Sequence, residues 1–567
     1  MFPNDSKVCV CLFNCYTTAD LLDNETGEDF LRYNLTLAKS RIVDNTSDLA
    51  TVVGVLIAVL VYIAINVEEL RIETTLQKFT KHKITQRALV LALLILTSPI
   101  IFSFTLISLF YKVTCYYIIK ANDVNFAAFL DGFDVFWSLE DDDSRCVINV
   151  LGIVETNTSD SLVSRIKQKL KIVITNKSCN KLFYRRNEKY GWYYWTNYSE
   201  IDLNDYVKVL NIGNKKGAIS KEDIEDAMTE VSYLPLPFND TGLFQIFVTE
   251  QRIENYEGER SNYGIIFRIH HAVGDGVALI EFLCKTLADD VKNDQKFSMP
   301  SNYIPIDTST TLLDKVKQLC SMPICFVDGI LRKPDQHSLH GPSLIGKKIF
   351  KWTDPDVDLY QMIKDIKQCK KDLNFSDILA TSLSSGLRNF FSKTMDHIPE
   401  DVAVILPIRL PEHLTRNELQ FKNNFTVTIL DLPTKEKRQI REIKRRCNIV
   451  RKSVDPTVNH YFLKVCYLLP KQILRPIFKS SQATLVFSNM PGPDSISICG
   501  GNSLKSLIFF IPNKGSTGLG ISALCYGGVL RFSAMADASI VRTSDQLSLI
   551  LDGMVDEIKQ MHELYVK

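Results

Sequence analysis

Two adjacent histidines, followed by an aspartate and a glycine, are the residues of this chain whose types and spacing could do acid–base chemistry. The run from His270 to Gly276 reads His-His-Ala-Val-Gly-Asp-Gly. It follows the apolar stretch Tyr263–Ile269, which is predicted as a strand, and precedes an amphipathic pattern near Val277 that predicts a helix. Because an imidazole titrates near neutral pH, a histidine at a strand end could take a proton from a hydroxyl group. The run therefore predicts a general base.

At most one of the two histidines is expected to face a crevice, because neighbouring side chains of an extended chain point to opposite sides. Asp275 lies near the N-terminus of the predicted helix, where a carboxylate is stabilised. Gly274 and Gly276 permit a sharp reversal of the chain. A pair of hydrogen-bonded histidines in a turn would show the same bare pattern, but the attached Asp-Gly favours the base.

The composition excludes several classes of protein. The 567 residues include 66 Lys and Arg against 65 Asp and Glu, a net charge of +1 that argues against nucleic-acid binding. Hydrophobic residues make up 46 % and charged residues 23 %, which is typical of a globular chain, and the length predicts two or more domains. The 14 cysteines lack the paired CxxC spacing of a zinc site, so no metal is expected.

Two apolar runs without charged residues indicate a membrane segment. Leu49–Ile65 and Ala88–Tyr111 would span about 25 and 36 Å as helices, against about 30 Å of hydrocarbon in a bilayer. Buried core helices are the alternative, but these usually keep a polar stripe, which both runs lack. The sequence therefore predicts an N-terminal segment at 1–48 and two transmembrane helices with a basic loop at 49–111, which makes a multi-pass membrane protein.

The orientation of this hairpin rests on charge and on sequons. The basic loop between the runs is expected to face the cytosol, which places both ends of the hairpin on the other side. Ten Asn-x-Ser/Thr sequons, six of them after the second run, agree with that side.

The remaining chain predicts a mixed α/β body, because strand and helix patterns occur without strict alternation. A stretch richer in Pro, Ser and Thr at 297–349 is interpreted as a crossover between two halves at 122–296 and 350–567. The predicted strands are Cys146–Val154, Leu170–Thr175, Leu243–Val248, Tyr263–Ile269, Val402–Ile405, Phe425–Leu430, Thr484–Phe487, Gly518–Cys525 and Leu530–Met535. The predicted helices are Lys221–Val231, Val277–Ala288, Ser376–Ser392, Lys435–Val454 and Ser544–Leu564.

The run from His270 to Gly276 resembles the HHxxxDG motif of the CoA-dependent acyltransferase superfamily, which includes chloramphenicol acetyltransferase and peptide-synthetase condensation domains. More closely, the chain resembles the wax ester synthase/diacylglycerol acyltransferase family. Further segments similar to that family occur in family order: Asp134–Glu140, Leu234–Phe238, Ser376–Ala380, Leu406–Arg409, Ser488–Pro493, Tyr526–Gly528 and Ala536-Asp537. The chain departs from the family in its two membrane runs, in the weakly matching Leu182–Asp202 and in Ser376, which replaces an Asn.

The resemblance implies two chloramphenicol-acetyltransferase-like halves that meet at a crevice. It implies that His271 is the base and His270 a supporting residue, that Asp275 holds the turn and orients His271, and that Gly276 permits a close backbone approach. Asn489, with Ser488, would line the site. Acyl-CoA would be a co-substrate, and no other cofactor is implied.

The function implied is a membrane-bound O-acyltransferase of the endoplasmic reticulum or plasma membrane. It would transfer a long-chain acyl group from acyl-CoA to a long-chain alcohol or diacylglycerol, without a covalent intermediate, giving wax ester or triacylglycerol. The alternative is a membrane-tethered protein of the same fold that binds lipid or acyl-CoA and has lost catalysis. The predicted orientation conflicts with a cytosolic acyl-CoA donor.

Overall fold

The computed structural model describes residues 82–141, 143–175, 181–213, 217–254, 260–289, 325, 328–329, 332–395, 397–409, 421–437, 439–479 and 482–566. The predicted segment 1–48, the first apolar run and most of the crossover at 297–349 lie outside these residues.

The first half of the described chain begins with a long helix and continues through seven strands. Its elements are α1 (Lys83–Asn122), β1 (Phe126–Phe129), α2 (Gly132–Ser138), β2 (Val147–Thr156), α3 (Ser159–Thr175), β3 (Arg185–Lys189), β4 (Trp192–Thr196), α4 (Leu203–Tyr206), β5 (Val207–Leu210), α5 (Lys221–Tyr233), the helical turn Pro237–Asp240, β6 (Phe244–Thr249), β7 (Ser261–His270), α6 (Gly276–Phe282) and the π-turn Leu283–Leu287.

The second half has the same mixed character and ends with a long helix. Its elements are β8 (Lys348–Trp352), α7 (Leu359–Cys369), α8 (Phe375–Thr394), β9 (Asp401–Arg409), β10 (Phe425–Pro433), α9 (Ile440–Lys452), α10 (Asp455–Val465), the 3₁₀ turn Cys466–Leu468, α11 (Lys471–Lys479), β11 (Leu485–Pro491), β12 (Ser497–Ile498), β13 (Asn502–Phe510), β14 (Leu519–Tyr526), β15 (Val529–Asp537) and α12 (Ser544–Tyr565).

Two six-stranded mixed sheets form the body, as the expected mixed α/β fold requires. The first sheet has the strand order β12-β13-β2-β7-β6-β5 and the second β10-β9-β11-β14-β15-β8, while β1, β4 and β3 form a small third sheet. In the first sheet β13 pairs with β2, so a strand from the second half of the chain completes the sheet of the first half. This exchange joins the two halves beside the strand that ends at His270.

Most of the predicted elements are present, and the exception has a simple cause. The predicted strand Leu170–Thr175 is wrong, because these residues form the last turns of α3. Leu162, Ile166, Leu170 and Val173 are all buried and recur at helical spacing over a window longer than the one that suggested a strand. The helix predicted at Val277–Ala288 is present as α6, which ends at Phe282 and continues as a π-turn.

Within the described residues one helix, Arg87–Asn122, is long and apolar enough to cross a membrane. It contains the second predicted run, and 18 % of its most apolar window is buried. The criterion is one of length and composition. The partner helix of the predicted hairpin lies outside the described residues.

Candidate active site

The side chain of His271 lies in a large cavity between the two six-stranded sheets. The backbone N–H of His271 donates to the carbonyl oxygen of Cys146 at 2.8 Å, which carries the pairing of β7 with β2 one residue past the strand end. The central cavity has a volume of about 620 Å³. Its walls include Trp137, Phe425 and Phe462. The imidazole of His271, just past the end of β7, thus faces a cavity large enough for a substrate chain.

The imidazole of His271 is held flat against an indole. The ring centroids of His271 and Trp137 are 3.7 Å apart with an interplanar angle of 11°. The Nδ1 atom lies 3.0 Å from Oδ1 of Asn423, the residue two positions before β10. Stacking and hydrogen bonding together set both the plane of the ring and its rotation.

The orientation of the Asn423 amide determines the His271 tautomer. Its Nδ2 donates to Oδ1 of Asp134 at 3.1 Å and to the carbonyl oxygen of His271 at 2.7 Å. Its Oδ1 is therefore the acceptor that faces His271, and Nδ1 of His271 carries the proton. Nε2 is left with its lone pair and makes no hydrogen bond to the described part of the chain. A neutral imidazole in this tautomer can accept a proton from the cavity.

Burial keeps this imidazole neutral. Removal from water lowers the pKa of His271 to about 3, against the opposing effect of the hydrogen bond to Asn423. The positive charge of Lys514 acts in the same direction as burial. His271 therefore keeps its lone pair free throughout the physiological pH range.

Behind Asn423 lies a buried ion pair. Oδ2 of Asp134 is 2.7 Å from Nζ of Lys181, and the Asp134 side chain is 3 % exposed. Burial raises the pKa of Asp134 to about 7, and Lys181 opposes that rise. Asp134 thus anchors Asn423, and Asn423 in turn orients His271.

His270 points away from the central cavity into a cluster of charged groups. Its Nδ1 accepts from the backbone N–H of Ala272 at 3.0 Å, and its Nε2 lies 3.1 Å from Oε2 of Glu140 and 2.9 Å from Nη1 of Arg186. Nη2 of Arg186 donates to the other carboxylate oxygen of Glu140 at 2.6 Å. Burial alone would raise the pKa of Glu140, but Arg186 and His270 hold it well below its ordinary value. His270, which was predicted to be a supporting residue, is 2 % exposed and faces Glu140.

Asp275 caps α6 and joins it to the strand that carries Asn423. One carboxylate oxygen accepts from the backbone N–H groups of Val277 and Ala278, each at 3.1 Å. The other accepts from the N–H of Asn424 at 2.9 Å. Asp275 thus holds the turn. It can affect the orientation of His271 only indirectly, by fixing the backbone next to Asn423.

Gly276 lies where α6 meets the second sheet. A Cβ atom built on Gly276 would lie 2.5 Å from Sδ of Met490 in β11. The close approach is therefore to a side chain of the other half. Ser488 and Asn489, which precede Met490, also line the central cavity. They belong to the end of strand β11 and not to a loop.

Sequence reasoning singled out the His270–Gly276 run but missed Asn423 and Trp137 as site residues. Trp137, Asp134 and Glu140 all lie in the Asp134–Glu140 segment that resembles the family, and this was the available signal. Asn423 had no comparable signal, since it is an ordinary polar residue before a predicted strand. Among the described residues no group of three or more His, Cys, Asp or Glu side chains could hold a metal ion.

Comparisons with known proteins agree with the expected resemblance. Residues 422–562 match the family model described as the WS/DGAT C-terminal domain. The structure is similar to the wax ester synthase/diacylglycerol acyltransferase from Marinobacter aquaeolei VT8, with a TM-score of 0.53 and 13 % identity over 77 % of this chain and 100 % of that one. It is also similar to TRI3 trichothecene 15-O-acetyltransferase from Fusarium sporotrichioides, with a TM-score of 0.51 and 12 % identity over 76 % of this chain and 94 % of that one. No curated protein sequence matches the chain. These two similarities confirm the expected mixed α/β fold with two acyltransferase-like halves.

Proposed function

We propose that the protein is an O-acyltransferase that joins a long-chain acyl group from acyl-CoA to the hydroxyl group of a long-chain alcohol or of diacylglycerol. The observation that carries this proposal is the free Nε2 of a neutral His271 in the central cavity. The match of residues 422–562 to the WS/DGAT C-terminal domain supports the same reaction class.

In the proposed reaction Nε2 of His271 takes the proton of the acceptor hydroxyl as the oxygen attacks the thioester carbonyl carbon. The new C–O bond forms a tetrahedral species, which collapses with cleavage of the C–S bond. CoA leaves as a thiolate and takes back the proton from Nε2. One histidine thus both takes up and returns the proton, and no acyl-enzyme is needed. Asn423 stabilises the transient imidazolium because its Oδ1 already accepts the Nδ1 proton.

The substrates are proposed from the lining of the central cavity and from the similar protein of Marinobacter, whose name gives wax ester and diacylglycerol chemistry. Much of the wall is hydrocarbon, which suits an alkyl chain. Its apolar members include Ile148, Val427, Ile429, Val458, Phe462 and Phe478. The Fusarium protein is named for transfer of an acetyl group, so the fold alone leaves the acyl length open.

We also propose that the apolar N-terminal part of the chain attaches the enzyme to the endoplasmic reticulum or plasma membrane, where acceptor and product dissolve. The division into halves at 122–296 and 350–567, with a crossover at 297–349, belongs to the same proposal. The predicted multi-pass arrangement requires α1 to cross the bilayer.

The test is an assay of the purified full chain with radiolabelled palmitoyl-CoA and either hexadecanol or dioleoylglycerol. Labelled wax ester or triacylglycerol is the expected product. If palmitoyl-CoA binds and neither acceptor yields an ester, the alternative of a lipid-binding protein on the same fold replaces the enzyme.

The pH dependence of kcat/KM provides a separate prediction. A lowered pKa means that His271 stays neutral as the pH falls from 8 to 5, so kcat/KM is expected to change little over that range. An imidazole with the ordinary pKa of about 6.5 would lose about 30-fold by pH 5. An acid limb with a midpoint near 6.5 that persists in the Asp134→Asn variant would contradict a buried base. The Asp134→Asn variant is the control, because it removes the Asp134 titration near pH 7 and keeps an acceptor for Asn423.

A further inference from the structure

Helix α1 has two faces, and one of them contacts the body at Arg87 and again from Ser108 onward. The residues buried on this face recur at helical spacing: Val90, Ile101, Thr105, Ser108, Cys115 and Ile119. Ser108 Oγ donates to the carbonyl oxygen of Leu468 at 3.0 Å, and Lys112 Nζ donates to that of Tyr467 at 2.7 Å. Near the start of the helix, Arg87 forms two hydrogen bonds to the carboxylate of Asp328, at 2.8 and 2.6 Å.

The contacts of α1 with the body are separated by more than the thickness of the hydrocarbon layer, so the helix could not cross a bilayer without the body entering it. From Arg87 to Ile119 the helix rises by about 48 Å, whereas the hydrocarbon layer is about 30 Å thick. A helix perpendicular to the membrane would therefore carry the attached body, with its Arg87–Asp328 ion pair, through or beyond the hydrocarbon. A polar body surface in lipid is strongly unfavourable. The geometry suits a helix that lies parallel to the membrane surface.

The opposite face of α1 is exposed and apolar. No charged residue occurs between Arg87 and Lys112. Leu89, Leu96, Ile107 and Ile118 lie along one line of this face and are 46 %, 75 %, 66 % and 40 % exposed. An exposed apolar surface of this length is characteristic of a membrane or protein contact.

The margin of this face carries three tyrosines and one half-buried lysine. Tyr111, Tyr190 and Tyr467 are all partly exposed, and Lys112 lies 4.2 Å from the centre of the Tyr467 ring. Tyrosine and lysine at the edge of an apolar surface are typical of the membrane–water interface. This composition favours a lipid leaflet as the occupant over a second protein surface.

The buried face of α1 packs on parts of the chain that also line the central cavity. Helix α10 lines the cavity with Val458 and Phe462, and the 3₁₀ turn that follows it contacts α1 through Tyr467 and Leu468. Asp328, which binds Arg87, also lines the cavity. Two parts of the chain, α10 with the turn that follows it and the segment at Asp328, therefore contact α1 and also line the cavity.

We propose that α1 lies in the plane of the membrane with its exposed face in one leaflet, and that the acceptor lipid passes from this leaflet to the central cavity beside α10 and Asp328. The second part of this proposal rests on the proposed function. The first part does not, because it depends only on the two faces of α1 and its contacts with the body.

This placement also removes the conflict over the acyl-CoA donor. If α1 does not cross the bilayer, Leu49–Ile65 is the single predicted span. The basic residues between the runs and the body then lie on the same side of the membrane. The positive-inside rule makes that side the cytosol, where acyl-CoA is available. The sequons before residue 49 would be glycosylated and those of the body would not.

Depth measurements by fluorescence quenching test the placement of α1. Cysteine variants of Leu89, Leu96, Ile107 and Ile118 in the full chain are labelled with bimane and bound to phosphatidylcholine–phosphatidylserine vesicles that contain brominated lipids. An in-plane helix is expected to give equal quenching at all four positions with bromine at a given depth. The Val357→Cys variant, whose residue is 69 % exposed elsewhere on the body, should show none, and the unsubstituted chain gives the background from native cysteines.

The other outcomes overturn the placement. Quenching that changes in steps from Leu89 to Ile118 as the bromine depth is varied would show a spanning helix. Absence of quenching at all four positions would show that protein covers this face, either a second copy or residues 1–81.

The passage of the acceptor is tested with the variant L96E/I107E. Conversion of dioleoylglycerol in vesicles is expected to fall by at least about 10-fold, because two side chains lose their place in the leaflet. Conversion of a water-soluble acceptor such as hexanol should stay within about twofold, since neither residue lines the cavity. The control I345E/V357E carries the same charges on other exposed sites. If both variants convert dioleoylglycerol in vesicles at the same rate, the proposed passage of the acceptor beside α10 is wrong. If the quenching is equal at all four positions but no ester forms, the placement of α1 stands and the proposed function is wrong.

Discussion

Replacement of His271 by Ala is expected to lower kcat/KM for ester formation by about 10²- to 10⁴-fold, the usual contribution of a positioned general base. The loss should fall on kcat, because Nε2 takes the proton only as the acceptor oxygen attacks, whereas acyl-CoA and acceptor bind largely through the apolar wall. The measurement is the initial rate with radiolabelled palmitoyl-CoA at several acceptor concentrations. A thermal unfolding temperature close to that of the unsubstituted chain would show that the loss is chemical and does not come from the lost stacking on Trp137.

A histidine outside the site provides the matched control. His562 on α12 lies 3.4 Å from Asp365 on the outer side of the second sheet, and the His562→Ala variant should retain full activity. Should His271→Ala keep more than about a tenth of the activity, the base would have to be another group and the proposed reaction would be wrong.

The second large effect is expected for Asn423, which we regard as a positioning residue because it acts through His271. Asn423→Ala removes the acceptor that holds the proton on Nδ1, so the imidazole can place its proton on Nε2, where it blocks proton abstraction. A wrong tautomer in a comparable histidine site costs up to about 10⁴-fold, and we expect kcat to fall by about 10²-fold or more with KM little changed. Selective ¹⁵N labelling of histidine would report the redistribution of the proton directly.

The conservative variant Asn423→Asp distinguishes positioning from a merely structural role. It keeps an oxygen beside Nδ1 and adds a negative charge, which stabilises the imidazolium and raises the pKa of His271. The acid limb of kcat/KM should therefore move to higher pH, which a packing defect would not cause. The control is Asn204→Ala, which removes an exposed amide that binds Lys167 and Asp202. An unchanged pH profile in Asn423→Asp, together with a normal kcat in Asn423→Ala, would show that Asn423 does not orient the base.

The Glu140 cluster explains why the pair of histidines is not a pair of equivalent bases. His270 is fixed between Ala272 and Glu140 and its pKa is lowered mainly by burial, so it is neither exposed to a substrate nor free to rotate. His271 lies one residue further, on the opposite side of the chain, and meets the cavity. The alternation of side chains along an extended segment separates a structural histidine from a candidate catalytic one.

The local features of this protein follow from its sequence. The apolar repeats predict eight of the fifteen described strands, among them β2 and β7. The His270–Gly276 run predicts a base where a strand ends, and the uncharged stretch before Lys112 predicts a membrane helix. These features depend on residues within a few turns of one another, so a window of the chain contains the information. The prediction is wrong at Leu170–Thr175, because a short apolar alternation there was interpreted without the longer helical repeat of α3.

Only the tertiary structure decided which residues surround that base. Asn423 lies 152 positions from His271 in the chain, and Trp137 and Glu140 lie more than 100 positions before it, yet all three meet at the end of β7. Their meeting depends on the pairing of β2 with β7 and on the capping of α6 by Asp275, which also binds the chain beside Asn423. This packing determines the tautomer of His271, its lowered pKa and the wall shared by α1 and the cavity. Each of these properties arises from groups that are close in space but far apart in the sequence.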